Sequence, residues 1–340
     1  KTDIFYQLVH RFEEGLKIPI GKIGDGEFDI QRVTVGMIQT VAKVYDKDRM
    51  KKVTDKEKLK QAEAIKALVE NCQCIITDEA HHVAADTFWA VQKAAVNAYY
   101  RYGFSASPWR IDNADLLIEA AHAKKMIDIS ASSLIDRGIL VRPKIYLLES
   151  RHEKKTRTQK YSEIYDDEVV NNLDRNMLVV DTAIKAASLG KTVLIAVTKI
   201  AHGEILEELI QQQDPTALFV CGDSDSQLRQ DVLTELDQHK RKIVICTTIF
   251  GEGIDCPGLD VLINAKAADS SIDAFQLLGR VIRAAPGKKI AHVIDIFDRN
   301  CKYLTAHASS REEIYETEER YKIVKVSNIG QINFNGDFND

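Results

Sequence analysis

No apolar run in this 340-residue chain approaches the roughly 18 residues that a membrane-spanning helix needs, which argues against a transmembrane role. Paired cysteines are missing as well. The six cysteines stand at 72, 74, 221, 246, 256 and 301 with no C-x-x-C spacing, so neither a zinc site nor a disulfide framework is indicated, and reduced core residues are expected. There is no excess of positive charge. The formal balance is −5, which removes a uniformly basic nucleic-acid-binding surface and confines any contact with a polyanion to a few local groups. Lys1-Thr2-Asp3 has none of the marks of a signal peptide, and no internal repeat or low-complexity tract is present. A soluble, cytoplasmic chain is expected. Its 45% share of hydrophobic residues suffices for two or three domains of roughly 100–200 residues each.

β-branched segments alternate with helical patterns along most of the chain. The segments are 74–77, 103–105, 193–197, 217–220, 243–247, 261–263 and 292–296, and the alternation is the signature of βαβ units and parallel sheets. A division falls at Arg142-Pro143, where the chain restarts in the extended 144–148. The domains expected are therefore 1–142 and 143–300, followed by a tail, 301–340, to which no chemistry is assigned. Within that tail 311–322 has a charged helical pattern and 323–334 turns strand-like, while 43–70 carries helical spacing around Leu59, Ala62, Ile65 and Leu68 and reads as a solvated amphipathic helix.

Four stretches carry the chemistry. Cys74 to Thr77 is an apolar strand ending in Asp78-Glu79-Ala80-His81. An acid at the carboxyl end of a buried strand sits where ligands bind in open α/β sheets. Two adjacent acids can point different ways, one holding a hydrated Mg²⁺ and the other polarising an attacking water. The plainer alternative is that Asp78 caps a helix and Glu79 favours its positive end. Residues 103–110 read Gly-Phe-Ser-Ala-Ser-Pro-Trp-Arg, residues 247–257 read Thr-Thr-Ile-Phe-Gly-Glu-Gly-Ile-Asp-Cys-Pro, and residues 276–283 read Gln-Leu-Leu-Gly-Arg-Val-Ile-Arg. A helix over 271–283 would bring Gln276, Arg280 and Arg283 to one face, with Gly279 permitting close approach.

In that order these stretches resemble motifs II, III, V and VI of superfamily 2 helicases, and their wording is most similar to DNA branch-migration and repair helicases such as those of large bacteriophages. The fold implied is α/β: two RecA-like parallel-sheet domains in tandem with an interdomain cleft, the first truncated at its N-terminus. The function implied is ATP-dependent DNA helicase or translocase activity on forked or branched DNA and single/double-strand junctions, with ATP and Mg as cofactors. For a phage protein the location would be the host cytoplasm.

The resemblance also assigns residues. Asp78 and Glu79 would serve Mg and the attacking water, and Arg280 and Arg283 would be arginine fingers on the γ-phosphate. His81 and Gln276 would form a switch between motifs II and VI, with His82 a surface residue. Gly253 and Asp255 would meet the nucleotide, although Asp255 can equally be a turn former ahead of Pro257. Ser105 and Ser107 would couple the nucleotide site to the cleft. Gln39, Thr40, Thr198, Lys199, His202 and Thr248 would line the nucleic-acid track through donors to phosphate.

One part is missing. Gly-x-x-x-x-Gly-Lys-[Ser/Thr], whose backbone amides cradle phosphates, does not occur in the chain. Gly190-Lys191-Thr192 precedes a strand instead of following one, and the earlier glycine position holds Lys185, so the triplet reads as a helix C-cap. Residues 1–8 resemble the interior of motif Ia and there is no initiator Met, so the phosphate loop is expected upstream. Two alternatives stay open. One is the motor portion of a restriction nuclease, for which Glu153 and Lys155 offer a superficial nuclease-type pair; the other is an ATPase-dead nucleic-acid-binding module.

Overall fold

A computed structural model describes residues 2–105, 115–152, 160–247, 256–268, 271–336 and 338. The chain divides into two compact units, Lys1–Asp128 and Ile129–Asp340.

The second unit is built on a seven-stranded, all-parallel sheet. Its strands are β6 (Arg142–Ser150), β7 (Val193–Val197), β8 (Leu218–Val220), β9 (Ile243–Thr247), β10 (Val261–Asn264), β11 (Ile290–Asp298) and β12 (Lys322–Val326), in the spatial order β12-β6-β11-β10-β7-β9-β8. Helices cover both faces, and the sequence shows why. In β7 Leu194 and Ala196 face one core while Val193, Ile195 and Val197 face the other; in β9 Val244 and Cys246 oppose Ile243 and Ile245. A strand buried on both sides has no polar face to display, so it is written as an uninterrupted apolar run. The helix Leu173–Ser188 that feeds β7 ends in a left-handed Gly190 (φ +80°), with Gly190 N–H donating to the Ala187 carbonyl and Lys191 N–H to that of Ala186. That pairing is a complete Schellman cap, so Gly190 ends a helix and cradles no phosphate.

The unit begins ahead of β6 because the helix Ala131–Asp136 is anchored to this unit's own C-terminal region. The Glu318 carboxylate accepts from the Ala131 and Ser132 amides (3.0 and 2.8 Å), and Arg320 pairs with Asp136 (2.8 Å). The boundary by contacts thus precedes Arg142–Pro143. The C-terminal residues are not an appendage: the helix Lys302–Tyr315 packs on β11, β12 pairs with β6, and Phe334 is 1% exposed.

The first unit holds β1 (Ile20–Gly24), flanked by antiparallel β2 (Glu27–Asp29) and parallel β3 (Val33–Gly36), and a separate parallel pair, β4 (Cys74–Thr77) with β5 (Tyr100–Gly103). The expected amphipathic helix is Lys56–Asn71; it is capped by Asp55 and inserts Ala62, Ile65 and Val69 into the core. No described helix is long and apolar enough to cross a membrane. All six cysteines are free, but not all are core residues: Cys246, Cys256 and Cys301 are buried, whereas Cys74 is exposed.

Two histidines of the second unit are held neutral by burial. His202 is fully buried against Asn176 and its pKa falls to about 3; His292 falls to about 4, through burial first and then Lys191 and Lys144. A histidine whose folded pKa is depressed leaves the unfolded chain as the better proton acceptor, so stability is lost as pH drops below 6.5. Each is expected to cost about 1.4 kcal/mol per pH unit between pH 6.5 and its folded pKa. Denaturant midpoints measured from pH 7.5 to 4.5 check this; a flat profile would refute it.

Candidate active site

β4 delivers the acidic pair. Thr77, its last residue, is buried and fixed through Oγ1 by Gln92 Nε2 (2.7 Å), and its carbonyl accepts from the Phe104 amide (2.9 Å). Asp78 then emerges exposed, its carboxylate accepting the Glu79 amide (3.0 Å). Glu79 adopts a left-handed backbone (φ 49°, ψ 53°), a conformation costing a non-glycine residue about 1–2 kcal/mol. The two carboxylates follow one another at the end of the strand. Neither caps the short 3₁₀ turn Ala80–Ala84, which has no side-chain cap. The helix-capping alternative is therefore not what the structure shows.

His81 ties this turn to the next strand. Its Nδ1 lies 2.9 Å from Ser105 Oγ and 3.3 Å from Glu79 Oε2, while the Ala80 amide donates to the Phe104 carbonyl (2.9 Å). Gly103 makes that closeness attainable: a Cβ there would stand 2.9 Å from that of Ala80 and 2.8 Å from the His122 ring. The seam between the acidic turn and Ser105 is thus built from three side chains and two backbone bonds. His82 is exposed.

Asp78 and Gln39 both line a cavity of about 560 Å³ whose walls include Phe5, Val35, Met37 and Ile76. Gln39 is exposed and Thr40 half-buried at the start of the short helix Ile38–Ala42 after β3. Ser107, Thr248, Gly251, Gly253 and Asp255, and the Glu153/Lys155 pair, lie outside the described residues.

In the second unit the helix Ser271–Val281 carries Gln276 and Arg280, both half-buried, and a Cβ at Gly279 would meet open space. Arg283 does not continue that face. The helix stops at Val281, and Arg283 forms an antiparallel bridge with Leu140 while the Val141 amide donates to the Ile282 carbonyl (2.8 Å). Strand-like pairing with the segment ahead of β6 takes the second arginine off the helical track.

The track residues fare unevenly. Thr198 is exposed at the end of β7, and Lys199 is partly exposed beside Asp166 (2.5 Å) and over the Tyr165 ring (5.5 Å). His202 cannot reach a phosphate: the helix Ile200–Gln211 turns it into the core, against Asn176 (3.0 Å).

Sequence reasoning missed the residues that hold the segment after β10. Residues 265–268 offer four successive carbonyls, each met by a side chain from another element. Arg175 donates to Ala265 (3.2 Å), Tyr165 to Lys266 (2.6 Å) and Arg311 to Ala268 (2.9 Å), and His307 Nδ1 lies 3.3 Å from the Ala267 oxygen. Arg175 and Arg311 are themselves buried on Asp298 and Asp295.

Residues 174–285 match the helicase conserved C-terminal domain, and residues 1–110 match the type III restriction enzyme res subunit. Over these two stretches the chain is similar to superfamily 2 helicases. Putative helicase 22 of Sulfolobus islandicus filamentous virus is 26% identical to this chain over 253 residues, 71% of the chain and 45% of the relative. The ATP-dependent DNA helicase uvsW of Enterobacteria phage T4 is 22% identical over 275 residues, 75% of the chain and 55% of the relative. The chain thus spans about half the length of these curated relatives. Among solved structures, a fragment of a putative HsdR subunit from Vibrio vulnificus aligns with TM-score 0.64 at 14% identity, covering 92% of this chain and 55% of that one. S. cerevisiae Dbp5 bound to RNA and ADP BeF3 aligns with TM-score 0.61 at 14% identity, covering 95% and 75%. These likenesses identify the fold as tandem RecA-like domains.

Proposed function

We propose that the chain is the motor core of an ATP-dependent DNA helicase or translocase that acts on forked or branched DNA. The observation that carries this reading is the turn at Asp78-Glu79, where a left-handed residue stands second in an acidic pair at a strand end and His81 joins Glu79 to Ser105. An exposed Asp78 suits a hydrated Mg²⁺, a hard cation that keeps several waters and takes few protein ligands. Glu79, with His81 at 3.3 Å, is the proposed acceptor of a proton from water. Arg280 supplies a guanidinium for charge developing on a transferred phosphoryl group. Gln39, Thr40, Thr198, Lys199 and Thr248 remain proposed contacts to the DNA backbone, with Ser105 and Ser107 as the coupling residues and Gly253 and Asp255 at the nucleotide. Arg283 is proposed to act from its bridge with Leu140 rather than as a second finger on the helix.

The test is ATP hydrolysis by the native full-length protein with and without DNA. Hydrolysis is expected to rise when DNA is added, and to rise more with forks or junctions than with linear duplex. Hydrolysis indifferent to DNA would refute the motor reading, and a protein that binds DNA but never hydrolyses ATP would favour an inactive binding module. The match of residues 1–110 to a restriction-enzyme subunit supports a second reading, the motor portion of a restriction nuclease. Metal-dependent cleavage of plasmid DNA would establish it.

A further inference from the structure

One half-buried ammonium joins the end of the helix bearing Arg280 to the turn at Pro257–Leu259. Lys288 Nζ donates to the carbonyl oxygens of Val281 (2.5 Å), Leu259 (2.5 Å) and Pro257 (2.9 Å). An ammonium has three protons to give, and all three are committed. Val281 closes the helix Ser271–Val281, so its carbonyl is one of the acceptors that a helix leaves without an internal partner, at the negative end of the dipole. Pro257 and Leu259 flank Gly258, which is pinned from the far side: its amide donates to Asp237 Oδ1 (2.7 Å), and a Cβ on it would stand 2.5 Å from the Asp237 carbonyl. The Ala285–Lys288 turn, closed by a Lys288 N–H bond to the Ala285 carbonyl (3.1 Å) and with a left-handed Gly287 (φ +81°), brings the lysine back to the helix it follows. Burial pulls the Lys288 pKa down to about 8 against the opposing influence of Asp260, Cys256 and Asp237, as expected of a desolvated ammonium.

We propose that Lys288 is a positioning residue for Arg280: its ammonium fixes the C-terminal end of the arginine-bearing helix to the Pro257–Leu259 loop and so holds the guanidinium in the register that phosphoryl transfer requires. The inference rests on the motor reading given above. The carbonyls of Ala265 to Ala268, ahead of the helix, are held by other side chains, whereas Lys288 bonds the end nearer Arg280.

The experiment is a mutant cycle on DNA-stimulated ATP hydrolysis by the native full-length protein, using Lys288→Met, Lys288→Arg, Arg280→Ala and the double variant Arg280→Ala/Lys288→Met. Lys288→Met is expected to lower kcat by roughly 10–100-fold with KM for ATP nearly unchanged, the signature of an interaction felt only in the transition state. Lys288→Arg should recover most of kcat. The double variant should be no slower than Arg280→Ala alone, because a residue that acts through Arg280 has nothing left to orient. A double variant slowed by the product of the two single effects would overturn the proposal, as would a Lys288→Met protein with wild-type kcat. Should Lys288→Met fail to fold, Lys288→Gln, which keeps two donors without the charge, gives the same cycle. A wild-type protein without ATP hydrolysis would remove the motor reading and this inference together, whereas an active wild type with multiplicative variants removes this inference alone.

Discussion

Glu79→Gln is expected to lower DNA-stimulated ATP hydrolysis by roughly 10²–10⁴-fold, the range that a general base contributes, while ATP binding stays nearly unchanged. The asymmetry follows from the turn. An amide is nearly isosteric with the carboxylate and can still face His81 at the 3.3 Å position, so the left-handed turn and the contact with Ser105 survive; what disappears is the capacity to take a proton. Asp78 is left untouched, and with it the carboxylate proposed to serve the metal and the bound phosphates. Single-turnover hydrolysis and equilibrium binding of a fluorescent ATP analogue, measured on the same native full-length variant, separate the two effects. Hydrolysis within tenfold of wild type would remove Glu79 as the base, and lost binding would show that it holds the nucleotide instead.

The second large effect is one of stability. Arg311 is 2% exposed and makes a bidentate pair with Asp295, whose carboxylate also accepts from Tyr315 Oη (2.8 Å) and Asn264 Nδ2 (2.9 Å). Arg311→Leu fills similar space but leaves a carboxylate buried without its cation, and the expected loss is about 3–5 kcal/mol. The two neutral donors soften the loss without replacing the charge. Chemical denaturation of the full chain measures it; a change below about 1 kcal/mol would show that water reaches Asp295 once the arginine is gone. A double variant that also replaces Asp295 by leucine should recover much of the stability, since an apolar pair carries no desolvation penalty.

The strands and the acidic pair were legible because their signals are local. β7 and β9 fall at the residues their apolar runs mark, and Asp78-Glu79 sits at the strand end that Cys74 to Thr77 announces. The tail was misread for the opposite reason. Its helix is Lys302–Tyr315 rather than 311–322, and its buried residues, Leu304, Ala308, Arg311 and Tyr315, recur at spacings that define an apolar stripe with an arginine in it. The same pattern holds for Arg175 among Val179, Thr182 and Ala186. An arginine in register with an apolar stripe signals a buried cation, but its partner lies on a distant strand and only the fold reveals it. His202 was misassigned because a polar residue just past a strand end looks like a ligand contact until the helix phase shows which way it points. Arg283 left its expected face because helical periodicity says nothing about where a helix stops. Lys288 gave no signal at all, since in sequence it is a lysine after a Pro-Gly turn.

The place of β12 beside β6 has a consequence for how this chain can be cut. β6 is nine residues long with six consecutive buried positions, and β12 supplies the ladder along its outer side. Shortening the chain to the last residue that resembles a helicase motif would strip that ladder and leave a long, flat, apolar edge open to strands of other molecules, which is the route to intermolecular pairing and aggregation. The final forty residues act as the hem of the sheet, and a soluble fragment of this protein has to keep them.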